Sequence, residues 1–287
     1  MSLKRVWNTV FLHPGRAPVS KHARCSPMDK PVRTLRFDTI SIYEYSEALR
    51  QDGPPRFLIL SFPDTGLVSS IAGRHLVVSE GFSIVGEIDA PSLSHISVVH
   101  NGRAVSPIQI YYSEASRILM VLSEVPLPLG IMHPLIDSIL TYLHGLGMEN
   151  VVTVSGLAVP NRFELEKPNV FLLSTGEWRG LKELGFEELK EGFITGPYAA
   201  LMKEARRRGV NALVIFVESF YDIPDPESAA VGLQALSKVT GLEVDVSRLI
   251  SEAELLKLKM RDLMRQTREA MSSLEKDLEK KMPLMYT

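Results

Sequence analysis

One triplet in the chain has the residue types of a catalytic or ligand-binding turn. Asp64-Thr65-Gly66 follows the apolar run 57–62, which is typical of a buried strand. Aspartic proteases use such a triplet, but their chemistry needs two aspartates that share a proton. This chain has one triplet, with a helical pattern directly behind it. We therefore interpret the triplet as a turn and helix cap, and we keep it as a candidate loop for a small ligand.

Other side chains with chemical potential lack the partners that catalysis or metal binding requires. Ser155 ends an apolar stretch, but the sequence names no base that would activate it as a nucleophile. His95, His100, His133 and His144 do not have the spacing of metal ligands. The sequence contains neither a phosphate-binding loop nor a nucleophile elbow. We predict no catalytic residue, no metal site and no cofactor.

The elements that must position these residues alternate between strands and helices. Apolar runs predict strands at 57–62, 83–88, 118–122, 151–154 and 212–217, and periodic apolar patterns predict helices at 67–79, 134–146 and 197–208. This alternation predicts an α/β fold with a largely parallel central sheet flanked by helices. A short helix is also expected at 41–49, and Asn101-Gly102 predicts a hairpin.

The core domain is expected to span residues 31–224, preceded by a stretch of different composition. Residues 1–30 are basic and carry no acid before Asp29. They lack the long apolar segment of a secretory signal. We interpret them as a disordered tail, or as sequence upstream of a true start at Met28.

Residues 225–282 are predicted to form a helical extension of the core. Its last helix begins at Ser247, and its apolar or small positions recur with alternating gaps of four and three, as in a heptad repeat. The members of this seam that we expect to contact a partner are Leu249, Leu256, Met260 and Leu263. We predict a homo-oligomer, dimer or tetramer, with a complex between paralogues as the alternative. Residues 283–287 then form a free C-terminal end, because Pro283 ends the helix.

The overall composition excludes several classes of partner. The chain has 287 residues with a net charge of -2, which argues against a nucleic-acid partner. None of its apolar runs approaches the roughly 20 residues that a membrane span needs. Cys25 is the single cysteine, which fits a reducing, cytoplasmic location. The scarcity of Asn and Gln beside many charged residues indicates a thermophilic source.

The order of these motifs resembles the proteasome assembly chaperone family of the second type. The stretches that carry the resemblance are Phe62 to Val68, the block 87–122, Ser155-Gly156, the loop 192–196 and the helix start at Asp225-Pro226. The resemblance spans roughly residues 35 to 275. It implies an α/β sandwich related to the nucleoside phosphorylase-like fold, without established catalysis, and it implies an archaeal, oligomeric protein.

The resemblance also gives a meaning to the C-terminus. Met285-Tyr286-Thr287 has the order apolar residue, tyrosine, any residue, which is similar to the tail motif of proteasome activators. This implies an assembly chaperone or an ATP-independent activator whose tail docks on 20S proteasome α-subunits. Met285 would fill an apolar groove, Tyr286 would stack there, and the Thr287 carboxylate would pair with a lysine. The alternative is a phosphorylase-like enzyme or nucleoside-binding protein that uses the Asp64 loop.

Overall fold

Ten strands form one mixed sheet in this computed structural model, which describes residues 30–51, 53–100, 102–176, 178, 181–256 and 258. The strands in chain order are β1 Arg33–Phe37, β2 Ile40–Glu44, β3 Phe57–Ser61, β4 Ser83–Asp89, β5 Val98–His100, β6 Arg103–Val105, β7 Ile108–Ser113, β8 Ile118–Ser123, β9 Asn150–Ala158, β10 Val170–Thr175, β11 Glu187–Glu188 and β12 Asn211–Ser219. The order across the sheet is β1-β2-β4-β7-β8-β3-β9-β12-β10-β11, while β5 and β6 form a separate hairpin around the predicted turn.

The prediction of a largely parallel sheet is wrong for the sheet as a whole. The neighbours β8, β3, β9 and β12 run parallel, and β10 and β11 also pair in parallel. All five remaining pairings within this sheet are antiparallel, including the meander of β8, β7, β4, β2 and β1. Strands β7 and β8 are buried on both faces, and because such strands occur in either direction, their composition alone did not reveal how they pair.

Helices cover both faces of the sheet. They are α1 Ala48–Gln51, α2 Val68–Ser79, α3 Leu129–Gly145, α4 Pro197–Arg208 and α5 Pro226–Thr240, followed by a helical segment over 247–256. One core joins α3 and α4 to the sheet, and the second joins α2, α5 and the segment 247–256 to the opposite face. Helices α4 and α5 begin and end where the sequence signals place them, since Pro197 opens α4 and Gly209 and Gly241 follow α4 and α5 in left-handed conformation. The helix expected over 134–146 instead begins at Leu129, and Pro134 lies inside it.

The expected helix over 41–49 is largely a strand. Residues of β2 alternate between buried and half-buried, as a strand with one covered face does. Only α1 is helical here. The buried carboxylate of Glu44 holds the two elements together, because Arg50 of α1 binds it through two nitrogens at 2.6 and 2.8 Å. Tyr142 of α3 donates a third hydrogen bond to the same carboxylate at 2.8 Å.

The expected boundary at residue 225 does not separate two packed units. Ala229, Leu233 and Leu236 of α5 are fully buried against the sheet. Leu249 of the predicted oligomer seam also packs into this core and is 4% exposed. Leu256 is half-buried, and Met260 and Leu263 lie outside the described residues, as do the expected N-terminal tail and the C-terminal residues 283–287.

Helix α2 approaches the sheet closely because Gly73 faces Ser61 at the end of β3. A Cβ atom at Gly73 would lie 2.2 Å from the Ser61 hydroxyl and 2.6 Å from its Cβ. We expect Gly73→Ala to lower the free energy of unfolding by about 1–3 kcal/mol through overpacking, although alanine favours helices. Chemical denaturation measures this.

Gly145→Ala is the matched control for the Gly73 variant. Gly145 also lies in a helix, α3, but a Cβ atom there meets nothing within 4 Å. We expect this variant to be as stable as the wild type or up to about 1 kcal/mol more stable. Equal destabilisation by the two substitutions would contradict the packing argument.

Candidate functional site

The predicted ligand loop lies at the carboxyl ends of the parallel strands, where Asp64 closes the start of α2. Its Oδ1 accepts a hydrogen bond from the Ser69 backbone N–H at 3.0 Å, and its Oδ2 accepts one from the Gly156 N–H of β9 at 2.8 Å. The Ser155 side chain also hydrogen-bonds this carboxyl group. The carboxylate therefore bonds to the helix start and to the neighbouring strand at the same time.

Glycines allow the loop to lie directly against its neighbours. Gly66 adopts φ 64° and ψ 9°, a left-handed conformation, and Leu67 follows at φ 51°. A Cβ atom at Gly66 would lie 2.9 Å from the Phe220 carbonyl oxygen, and one at Gly156 would lie 2.1 Å from the Thr65 carbonyl oxygen. The Gly66 carbonyl accepts from the Asp225 N–H at 2.9 Å. Three loops at this edge thus interlock through their backbones.

Burial perturbs the Asp64 carboxyl group. The residue is partly exposed at the turn, but protein surrounds its carboxyl group. This burial raises the pKa of Asp64 to about 7, although the N–H groups of Gly156 and Ser69 favour the charged form. The loss of hydration is the larger effect in this position.

A buried polar network lies behind Asp64. The Tyr198 hydroxyl of α4 accepts from the Phe62 N–H at 3.0 Å and shares a hydrogen bond with the Ser69 hydroxyl. The Ser61 hydroxyl donates to the Ser69 carbonyl at 2.8 Å. Burial raises the pKa of Tyr198, and nearby Asp64 raises it further. The phenol therefore stays neutral and serves as a structural hydrogen-bonding group between α4 and the end of β3.

This geometry leaves little for a small anionic ligand to bind in the loop. The backbone N–H groups that would hold an anion at the start of α2 already have acceptors. The Ser69 N–H donates to the Asp64 side chain. The others donate to the backbone carbonyl oxygens of Thr65, Asp64 and Tyr221. The side chain of Ser155 is buried, and its hydrogen-bond partner is Asp64 rather than a histidine. Within the described residues, the loop is a closed structural junction, and the nucleoside-binding alternative gains no support from it.

Arg162 forms a second junction, which the sequence analysis missed. The Arg162 side chain is buried, with 1% of the residue exposed. Its Nε and Nη2 atoms donate to the Asp225 carboxylate at 2.8 and 3.2 Å. Its Nη2 atom also donates to the Glu227 carboxylate at 2.6 Å. The guanidinium also lies 5.2 Å from the Phe220 ring centre. Asp225 caps α5 by accepting from the Ser228 N–H at 3.0 Å, as its sequence position predicted. No local pattern marks Arg162, because its partners lie more than 60 residues away.

Several large apolar side chains are exposed on the surface of the described residues. Phe193, in the loop before α4, is 90% exposed, and Tyr221, after β12, is 78% exposed. Leu129 at the start of α3 is 86% exposed.

The described residues contain neither a metal-binding cluster nor a membrane-spanning helix. No group of three or more histidine, cysteine, aspartate or glutamate residues in this part of the chain is arranged to hold a metal ion. Likewise, no helix among the described residues is long and apolar enough to span a membrane. The predicted tail residues Met285, Tyr286 and Thr287 lie outside the described residues.

Comparisons with known proteins agree with the resemblance seen in the sequence. The model of the PAC2 family matches residues 58–264. One similar solved structure is that of Pyrococcus furiosus PbaA, an archaeal homolog of proteasome-assembly chaperone. Its sequence is 29% identical to this chain, and its structure superposes with a TM-score of 0.68. The match covers 79% of this chain and 95% of PbaA.

Two further relatives extend this comparison. Pyrococcus furiosus PbaB, an archaeal proteasome activator, shares the fold at 22% identity and a TM-score of 0.67, covering 79% of this chain and 99% of its own. An uncharacterised protein of Methanocaldococcus jannaschii is 25% identical over 238 residues, 77% of this chain and 90% of its own. The family prediction is thus confirmed with archaeal relatives, whereas the relation to the phosphorylase-like fold stays a prediction.

The raised pKa of Asp64 predicts a pH-dependent contribution to stability. Because the folded pKa of about 7 exceeds the ordinary value of 3.8, protonation favours the folded state. This contribution is complete below about pH 4 and is lost as the pH rises through 7. We expect the difference in unfolding free energy between wild type and Asp64→Asn, measured by urea denaturation, to shrink between pH 5 and pH 8.

Asp64→Ala provides the control for this titration. Both variants remove the ionisable group, and both leave at least one backbone N–H without its acceptor, at a cost of about 1–3 kcal/mol. We therefore expect the same pH trend relative to wild type with either variant. A difference that stays constant from pH 5 to pH 8 would show that Asp64 does not titrate in this range.

Proposed function

Because this chain belongs to the PAC2 family, we propose that it is a non-catalytic protein that binds the proteasome core particle. It acts as an assembly chaperone or as an ATP-independent activator. The observation that carries the proposal is the match to PbaA over 95% of that chain at 29% identity. A proteasome-related role follows from the family. An assembly chaperone binds before the core particle is complete, whereas an activator binds the completed particle.

The geometry at this edge of the sheet supports a binding protein rather than an enzyme. Asp64, the strongest candidate for chemistry, uses both carboxylate oxygens to fix α2 and β9. The rigid edge therefore holds surfaces in place and does not present a reactive group to a substrate.

The C-terminal tail makes the proposed contact with the 20S proteasome α-subunits. Met285 enters an apolar groove between two subunits, and Tyr286 stacks beside it and hydrogen-bonds through its hydroxyl. The Thr287 carboxylate pairs with a lysine ammonium, a charge-assisted bond that is stronger than a neutral one. Sequence order at the terminus supports this mode of binding.

Several tails on one oligomer strengthen a contact that is weak for each tail alone. Once one tail is bound, the others meet the repeated pockets of the ring at a high effective concentration. Opening of the gate in the ring requires that the docked tails bind the open state more tightly than the closed state. A protein without this preference would bind the ring and act in assembly only.

The oligomer that carries these tails is proposed to form through the C-terminal helix. Leu249 is used within its own chain, so the part of the seam that remains for a partner begins at Leu256 and includes Met260 and Leu263. A complex with a paralogue through the same seam is the alternative. The cytoplasmic location remains a prediction that rests on the single cysteine.

The tail proposal predicts a loss of binding when its anchor is removed. We expect Tyr286→Ala, and a chain lacking 285–287, to bind archaeal core particles at least roughly 30-fold more weakly than wild type, as removal of an aromatic hot spot does. A pull-down and a peptide-hydrolysis assay measure binding and gate opening. Tyr221→Ala is the matched control, since this tyrosine is also exposed but lies on the body of the protein. Equal binding by all four proteins would exclude tail docking.

The oligomer proposal predicts dissociation when the free part of the seam is made polar. We expect the double variant Met260→Ser and Leu263→Ser to have a lower mass by light scattering than wild type, because the apolar interface is lost. Val78→Ser is the control, as Val78 is 54% exposed on α2. These positions are preferable to a truncation, which would also remove Leu249 from the core. An unchanged mass for the double variant would exclude this seam as the interface.

A further inference from the structure

A groove lies between α5 and the edge of the sheet that β10 and β11 form. Its volume is about 590 Å³, within the range of about 300–1,000 Å³ that is usual for small-molecule sites. Its apolar lining consists of half-buried or buried side chains: Val170, Phe186, Val231, Ala235 and Val244. The proposed function makes no use of this groove.

Interactions within the fold hold both walls of the groove in place. On one wall, the Glu218 carboxylate of β12 accepts hydrogen bonds from the backbone N–H and the side-chain amide of Asn169, both at 2.8 Å. On the other wall, Val231, Ala235 and Lys238 follow one another at spacings of four and three residues, so they lie on one face of α5. The site is therefore formed without a ligand, as small-molecule sites usually are.

Positive charge predominates on the polar part of the groove. Lys167 and Lys238 both line it, both side chains are exposed, and neither forms an ion pair with a described residue. Glu187 is the one acidic residue among the described lining residues, which leaves one positive charge in excess. The Lys238 ammonium lies 5.3 Å from the ring centre of Phe186, so this charge is held directly beside the apolar lining.

We propose that the groove binds a small amphipathic molecule with one carboxylate group and an apolar body. The carboxylate pairs with the Lys238 ammonium in a charge-assisted hydrogen bond, and the apolar body covers Phe186, Val170 and Val231. One excess lysine matches the single charge of a carboxylate. A phosphate monoester carries a charge of about -1.5 to -2 at neutral pH, which the groove does not balance.

The extent of the groove favours a small molecule over a protein partner. Thirteen described residues line it, whereas a stable protein interface uses about 20–30 residues on each side. The lining also combines apolar side chains with very few charged groups, as sites that enclose a small ligand do. The proposal does not depend on whether the protein binds the proteasome.

Octanoate is a probe with the proposed chemistry, and its binding can be located by NMR. The full-length protein is labelled at its valine methyl groups, because Val170, Val231 and Val244 line the groove. We expect octanoate to shift the signals of these three residues in a saturable way. The methyl groups of Val78, which is exposed on α2 and does not line the groove, should not shift. Absence of saturable shifts at the groove valines would overturn the proposal.

Two related compounds separate the contributions of the charge and the apolar body. Octan-1-ol lacks the carboxylate, and butyrate lacks most of the apolar chain. We expect each compound to bind at least about tenfold more weakly than octanoate, because one loses a charge-assisted hydrogen bond and the other loses buried methylene groups. Equal affinity for octanoate and octan-1-ol would overturn the assignment of a carboxylate.

Variants of the groove lysines identify the group that holds the carboxylate. We expect Lys238→Ala to weaken octanoate binding about tenfold, whereas Lys238→Arg retains the charge and most of the affinity. Lys203→Ala, which changes an exposed lysine of α4 on the opposite face of the sheet, should bind as wild type does. Unchanged affinity in both Lys167→Ala and Lys238→Ala would overturn the proposal.

The core-particle pull-down distinguishes the small ligand from a protein partner in the same groove. We expect Lys238→Ala to bind core particles as wild type does. Weaker binding of core particles by this variant, without octanoate shifts in wild type, would assign the groove to a protein contact and overturn the small-ligand proposal. Because the two measurements use different partners, failure of the groove proposal and failure of the proposed function are distinguishable.

Discussion

The closure of α2 by the Asp64 carboxylate is the interaction on which the organisation of this edge depends. A parallel α/β sheet normally leaves the start of such a helix open to a ligand, with unpaired N–H groups and a positive dipole end. Here the carboxyl group of one side chain accepts a hydrogen bond at the helix start and another from Gly156 on the next strand. The loss of hydration raises the pKa of this carboxyl group. Each of its two oxygens nevertheless accepts a hydrogen bond from a backbone N–H group.

The neighbouring junctions depend on the same closure. Gly66 accepts from Asp225, and Asp225 in turn binds Arg162 and caps α5. A buried ion pair of this kind gains little net energy, but it is costly to break because one charge would remain unpaired. The ends of β3, β9 and β12 are therefore fixed relative to one another. An edge built in this way suits a protein that presents surfaces to partners.

The helical segment that follows α5 packs on one face of the sheet. Leu249 and Ala253 pack on the face that carries α2 and α5, so the start of the heptad seam serves folding. Ile250, Leu255 and Leu258 are exposed on the same segment. The described part of this segment thus contributes to the hydrophobic core and also presents apolar side chains at the surface.

Local sequence patterns were sufficient to predict the elements that depend on neighbouring residues. Neighbouring residues predicted the strand at 57–62, the caps at Asp225 and Gly241 and the hairpin of β5 and β6, and the structure has all of them. The order of motifs also identified the family. Three features could be seen only in the folded protein: the direction of the strands, the packing of α5 in the core and the partners of Arg162. Pairing depends on which distant strand lies alongside, and apolar strands buried on both faces look alike in either direction. The role of Asp64 as an internal anchor likewise required Gly156, 92 residues away in the chain.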